Sequence, residues 1–247
     1  VLLDRADIGQ GTSGRFHGLL HSGGRYVVSD PQSATECAEE NAIVTRIHAD
    51  AVETTGGYFV TAPGDDPEFA DKFLAGAAAT RVPAHEISVA EALRNEPRLN
   101  PGILRAIEVQ DGSVDGWQMI WGAARSAMNY GAKVLTYHKV TRIERDAGRV
   151  AAVYATDVKN GEDVRIDCSF VLNCAGPWAG QVAAMADCSP VEVIPGRGIM
   201  VAMNHRLVNR VVNRCIYPAD GDILVPVHTV CIIGTTDVKV EDPDHLA

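Results

Sequence analysis

Five glycines stand among the sixteen residues Gly11-Thr12-Ser13-Gly14-Arg15-Phe16-His17-Gly18-Leu19-Leu20-His21-Ser22-Gly23-Gly24-Arg25-Tyr26. Neither a helix nor a strand is written this way, because each glycine forgoes side-chain packing and adds conformational freedom to the unfolded chain. Such a stretch suits a backbone that passes close to something large and flat while presenting a few donors from His17, His21, Arg25 and Tyr26. A Gly-rich surface loop would have the same composition, so the rest of the chain has to decide.

At 247 residues the chain can bury a large core, as one domain or as two interleaved ones. A net charge of -10 without long single-sign blocks argues against a nucleic-acid partner, although one focused basic pocket could still hold an anion. No run of about twenty apolar residues is present to span a bilayer. The six cysteines are scattered with no C-x-x-C pair, which predicts reduced, mostly buried thiols, a cytosolic setting and no metal site.

Taken in order, Val1 to Leu3 reads as a strand closed by Asp4, the place where dinucleotide folds hold a ribose. A first residue already inside a strand also reads as the start of a fragment. Asp30-Pro31 opens a helix over about Ser33 to Val52, with Ala34, Cys37, Val44, Ile47 and Ala51 as its apolar stripe and Asn41 its one polar member. Tyr58 to Thr61 is a strand, Pro67 to Ala79 a helix, and Ser88 with Glu91 caps a short helix stopped by Pro97. Leu104 to Val109 is a strand and Asp111-Gly112 a turn. Asp115 with Gln118 starts a helix whose Trp117, Ile120, Trp121, Ala124, Ala127 and Met128 form a buried stripe. Strands then follow one another and return at Phe170 to Asn173, before Ala175-Gly176-Pro177 and a helix over Trp178 to Ala186. Val191 to Met203, broken at Pro195 to Gly198, reads as a strand pair; Ile223 to Val227 and Val230 to Asp237 are two more strands. Alternating α/β and strand-rich segments predict two interleaved lobes with a ligand in the cleft between them.

The runs His17 to Tyr26, Glu39-Glu40-Asn41, Gly131 to Val134, Val212-Asn213-Arg214-Cys215, Pro218-Ala219-Asp220, Asp222 to Pro226 and Ile233 to Thr236 keep an order and spacing that resemble one family over essentially the whole chain. That family is the FAD-dependent glycerol-3-phosphate dehydrogenases, most closely the catalytic subunit of the anaerobic, respiratory type. The resemblance implies an α/β fold of the D-amino-acid-oxidase kind: a Rossmann-like FAD/NAD(P)-binding domain interleaved with an antiparallel-sheet substrate domain. The implied ranges are 1–55, 111–190 and 231–247 for a partial FAD-binding domain, and 56–110 and 191–230 for the substrate domain. The first pyrophosphate-binding strand of that fold does not occur here, so the expectation is a chain truncated at both ends that binds FAD poorly and is inactive by itself. Asp4 stands where the family has Glu, Phe16 where Asn is usual, Ile216 where Arg is usual and His228 where Asp is usual.

The reaction implied is oxidation of sn-glycerol 3-phosphate to dihydroxyacetone phosphate, with hydride passing to the flavin and electrons on to a quinone. Arg25 is the first choice for a phosphate or alkoxide contact, its guanidinium fork matching two oxygens. His21 is the base or an electrostatic partner of the flavin, or else a loop anchor. Tyr26 donates a hydrogen bond or walls the pocket. For FAD, the resemblance assigns Asp4 to the ribose, Thr12 and Ser13 to the pyrophosphate side, Val140 to the adenine, and Ala175 and Gly176 to the phosphate–ribitol stretch. It brings Gly18, Leu19 and Leu20 against the cofactor and Gly234 and Thr235 near the flavin–substrate cleft. Trp117 and Trp121 read as core. The family further implies companion electron-transfer subunits and attachment to the cytoplasmic face of the cell membrane, and leaves a homo-oligomer open. Two other readings remain: an FAD enzyme acting on a 2-hydroxy acid or amino acid, and a non-catalytic interaction subunit that keeps the fold.

Overall fold

The computed structural model describes residues 1–188, 191–218 and 222–244. Ala219 and Asp220 of the expected motif, and the ends of the expected ranges at 189–190 and 245–247, lie outside them. The chain gathers into two compact units, one of residues 1–15, 120–197 and 238–247, the other of 16–119 and 198–237. Residues 16–55 and 111–119, expected with the FAD-binding segments, group here with 56–110.

The larger unit is built on a seven-stranded sheet in the order Val201–Met203, Val230–Gly234, Ile223–Val227, Val211–Arg214, Gly57–Thr61, Arg105–Val109, Ala84–Ile87. Only the central pair, Val211–Arg214 beside Gly57–Thr61, runs parallel. Because side chains alternate across a strand, the sheet feeds two cores. Phe59, Ile107 and Val109 face helices α1 (Pro31–Ile47) and α2 (Phe69–Thr80), where the Phe59 and Phe73 rings lie 4.6 Å apart. Tyr58, Val60 and Ala106 face the other way, toward Leu99, Ile103 and helix α3 (Val89–Asn95), whose Asn95 amide donates to the Tyr58 hydroxyl at 3.0 Å. A second sheet of three short strands pairs Leu19–Leu20 and Val52–Glu53 with Gly112–Val114.

Local chemistry sets the helix starts. Asp30 accepts the Ser33 N–H at 3.1 Å with Pro31 in the first turn; Ser88 accepts from the Glu91 N–H at 3.2 Å; Asp115 accepts from the Trp117 and Gln118 N–H groups at 2.9 and 3.1 Å.

The smaller unit pairs Leu2–Leu3 in parallel with Val134–Leu135. An antiparallel meander, His138–Asp146, Arg149–Asp157 and Asp163–Asp167, packs Ile143 and Val153 against Leu3, Val140, Val182 and Ala186. Helix α4 (Gly116–Asn129) begins among the residues of the larger unit and continues into those of this one, and α5 (Ala179–Ala184) follows a single 3₁₀ turn at Gly176–Trp178.

Five expectations are corrected. Asp111-Gly112 is not a turn, since Gly112 opens a ladder strand and both residues are buried. Trp117, Trp121 and Met128 are more than 40% exposed, and of the expected stripe of α4 Ala124 alone is buried. The helix after Asp30 ends at Ile47, itself 60% exposed, because His48 leaves helical geometry and Val52–Glu53 joins a sheet. Phe170 to Asn173 forms no ladder, for no strand among the described residues lies alongside to take its N–H and C=O groups. Gly196–Arg197 and Val201–Met203 are not a pair: the first joins Val238–Lys239, the second Val230–Gly234.

Candidate functional site

In the larger unit the segment His17–Tyr26 is held at almost every residue. Leu19–Leu20 pairs with Gly112–Ser113, and the Gly18 carbonyl accepts the Val114 N–H at 2.7 Å. His17 Nδ1 accepts the Leu19 N–H at 3.1 Å. The Asn41 amide, the polar member of the α1 stripe, donates to the Leu20 and His21 carbonyls at 3.3 and 3.2 Å. Ser22 is 2% exposed and gives both its N–H and its hydroxyl to Asp111 Oδ1 at 2.8 and 2.7 Å. Gly23 adopts a φ of +98°, and a Cβ there would fall 2.2 Å from the Ala34 carbonyl oxygen. On Gly24 it would fall 2.8 Å from the Phe59 ring. These two glycines therefore let the loop lie down on α1 and the sheet.

The loop's side chains then sit in a row. The His17 and His21 rings are 5.8 Å apart, and the His21 and Tyr26 rings are also 5.8 Å apart. Arg25 donates to Asp222 at 3.1 Å, the two side chains being 15% and 1% exposed. Asp222 precedes Ile223, which is paired with Gly234, so the loop, Arg25 and the Gly234–Thr235 end of that strand belong to one corner of the unit. Ile216 and Arg214 border a water-sized hollow beside Arg25, and Arg214 is itself paired with Asp65.

Burial removes hydration from both imidazoles and pushes the pKa of each down to about 4, with the Arg25 charge adding to the effect and His21 adding to it at His17. Both rings are therefore neutral at pH 7. Burial acts the other way on the Asp111 carboxyl and raises it, against the hydrogen bonds from Ser22 and Asn213 and the charge of Arg25. His228, at the position where an Asp was expected from the resemblance, lies 3.0 Å from Asp115 Oδ2, and its N–H donates to Glu53 at 2.9 Å.

The smaller unit holds the other expected contacts. Asp4 ends the strand Leu2–Leu3; its Oδ1 accepts the Ala6 N–H at 2.9 Å and its carbonyl the His138 N–H at 2.7 Å. Thr12 and Ser13 lie exposed on a single 3₁₀ turn. Gly11 lies beside the Trp178 ring, with 3.7 Å from an added Cβ, and the Arg5 guanidinium sits 4.3 Å over that ring. Trp178 donates its backbone N–H to the Ala175 carbonyl at 3.1 Å, closing the single turn that follows Ala175. Val140 packs with Leu3 in the meander core. These residues suit a dinucleotide: a carboxylate at the end of a parallel strand, two exposed hydroxyls, and backbone approachable at Gly176.

Four residues that matter here are not marked as site residues by the sequence. Asp111 is hidden by its turn-like Asp-Gly dipeptide. Asp222 and Asn213 lie inside runs that carry the resemblance, without a role. Asn41 shows as an oddity in an apolar stripe and within the run Glu39-Glu40-Asn41, again without a role.

A family model described as DAO, FAD dependent oxidoreductase, matches residues 1–247. The chain is 44% identical to one subunit (A1) of the anaerobic glycerol-3-phosphate dehydrogenase of Haloferax volcanii, across 99% of this chain and 43% of that protein. It is 39% identical to the correspondingly named anaerobic glycerol-3-phosphate dehydrogenase subunit of Escherichia coli K12, across 98% of this chain and 44% of that protein. It thus spans less than half the length of these curated relatives. Among solved structures, L-alpha-glycerophosphate oxidase of Mycoplasma pneumoniae with FAD bound superposes with a TM-score of 0.81 at 19% identity, covering 98% of this chain and 66% of that one. At that identity the likeness shows a shared fold.

Proposed function

Since the chain belongs to the DAO family of FAD-dependent oxidoreductases, we propose that this protein oxidises sn-glycerol 3-phosphate to dihydroxyacetone phosphate. The relatives named above carry that substrate in their names. The observation that supports the reading from within is the loop itself: a neutral imidazole at His21 beside the Tyr26 ring, under the charge of an Arg25 guanidinium held by Asp222.

FAD, when bound, supplies the acceptor for the hydride leaving C2. The residues proposed to hold it are Asp4, Thr12, Ser13, Val140, Ala175 and Gly176, together with Gly18, Leu19, Leu20, Gly234 and Thr235. Arg25 orients the phosphorylated alcohol through charge-assisted hydrogen bonds, its own direction set by Asp222. His21 Nδ1 or Nε2 takes the C2 hydroxyl proton. An imidazole with a pKa of about 4 is a weak base in the empty protein. A dianionic phosphate brought close favours the imidazolium and raises it toward the working pH. Tyr26 donates to the substrate from the same side.

Electrons pass onward to companion subunits and a quinone at the inner face of the cell membrane. The relatives are each named as a single subunit, which supports companions. No helix among the described residues is long and apolar enough to cross a membrane.

The test is to express the whole gene product and assay bound flavin and dye-linked oxidation of glycerol 3-phosphate beside 2-hydroxyglutarate and amino acids. Flavin-dependent turnover of glycerol 3-phosphate alone is the expected result. Preference for a 2-hydroxy acid or amino acid, or a flavin-free protein, would overturn it.

A further inference from the structure

Asp111 is a buried carboxylate that the proposed chemistry leaves unused. It is 3% exposed, with Ser22 at 2% and Asn213 at 0% beside it. Its Oδ1 accepts twice from Ser22, at 2.8 Å from the N–H and 2.7 Å from the hydroxyl, and its Oδ2 accepts from the Asn213 amide at 3.2 Å. Room for the side chain comes from the neighbouring strand: a Cβ on Gly57 would stand 2.8 Å from Asp111 Cβ. A carboxylate withdrawn from water is costly unless its oxygens are bonded, and a hydrogen bond to a charged group is about twice as strong as a neutral one.

The arrangement commits that strength to a single loop residue. Ser22 follows His21 and precedes Arg25 by three positions. From the other side the Asn41 amide holds the Leu20 and His21 carbonyls. Asp111, Leu20 and Asn41 also border one polar hollow of about 380 Å³.

We infer that Asp111 is a positioning residue, which through its paired hydrogen bonds to Ser22 fixes the backbone that aims His21 and Arg25. Asn213 holds the carboxylate in that direction. The kinetic half of the inference rests on the function proposed above; the structural half does not.

The test uses the complete, FAD-loaded protein carrying Asp111→Asn, Ser22→Ala or Ser22→Thr. Hydrogen exchange read by mass spectrometry should speed up by about tenfold or more in peptides spanning 19–25 for Asp111→Asn. Exchange in the strands Gly57–Thr61 and Arg105–Val109 should stay as in the parent. Turnover of glycerol 3-phosphate per bound flavin should fall by about tenfold or more, and Ser22→Thr, which keeps the hydroxyl, should recover most of what Ser22→Ala loses. Unchanged exchange at 19–25, or unchanged turnover per flavin, overturns the inference. If Asp111→Asn fails to fold, Ser22→Ala, which keeps the backbone bond and the Asn213 contact, decides the same two readings. A parent without glycerol 3-phosphate turnover would sink the proposed function, and the exchange comparison would still decide the positioning role.

Discussion

Between Gly11 and Arg15 an added methyl on Gly11 would come no nearer than 3.7 Å to the Trp178 ring, and Thr12 and Ser13 stand exposed. From Phe16 to Tyr26 a methyl on Gly23 would collide at 2.2 Å with the Ala34 carbonyl and one on Gly24 at 2.8 Å with Phe59. The two halves of one Gly-rich run thus use the same residue type for different ends. The first keeps a short turn open on the surface of its unit. The second presses a loop against a helix and a sheet, and ties it down through Asp111, Asn41 and Asp222. Chemistry that needs fixed geometry belongs in the second half; contacts to an extended cofactor can be left to the first.

The contrast is sharpest in turnover. His21→Gln in the complete flavin-loaded protein should lower kcat by about 10²–10⁴-fold, as expected for loss of a general base. Thr12→Ala should mainly weaken flavin retention. Stopped-flow flavin reduction and flavin release, measured on both, would break the comparison if the two variants behaved alike.

Next comes stability. Gly24→Ala should cost about 1–3 kcal/mol through overpacking against Phe59. Gly11→Ala, in ordinary contact only, should shift unfolding by less than about 0.5 kcal/mol. Urea unfolding of each variant reads the difference directly, and equal losses would show that the first half is packed as tightly as the second.

Acid should act on the second half as well. His17 and His21 have folded pKa values of about 4 against 6.5 when unfolded. Between those values the unfolded chain binds more protons, so their contribution to stability is present above pH 6.5 and is lost as the pH falls toward 4. Asp111, raised by burial, works with the opposite sign, and Arg25 is the fixed charge beside them. The urea midpoint should therefore drop across this window, and a His17→Gln/His21→Gln double variant should flatten the drop. A wild-type profile indistinguishable from the double variant's would remove the argument that these rings are buried neutral. A modest effect is expected at the helix that carries the Asn41 clamp: Asp30→Ala should lower the midpoint of thermal or urea unfolding through loss of the cap, and an unchanged midpoint would show that the cap contributes nothing.

Local signals are the legible ones. Asp30-Pro31, Ser88 with Glu91, and Asp115 with Gln118 each predict a helix start, because the bond that caps a helix is made within three residues. Strands with β-branched and aromatic residues, such as Tyr58 to Thr61 and Ile223 to Val227, are legible too. What fails is whatever depends on partners distant in sequence. Asp-Gly is a turn signal by itself, yet Gly112 to Val114 becomes a strand since Leu19–Leu20 and Val52–Glu53 flank it. Trp117 and Trp121 have the spacing of a buried stripe, and exposure is decided by what else packs there. In the site, His21, Arg25 and Tyr26 stand in the glycine run itself, whereas Asp111, Asn213 and Asp222 reach them only through the fold of the larger sheet.

The Asn41 amide makes the register of a helix part of the site. Each residue added to or removed from the stretch between Asp30 and Asn41 turns that side chain by about 100° and moves it by about 1.5 Å along the axis. The carbonyls of Leu20 and His21 would then face a different side chain altogether. A length change far from any reacting atom would thus be read at the imidazole, and lineages of this chain should tolerate substitutions along the outer face of α1 far better than insertions within it.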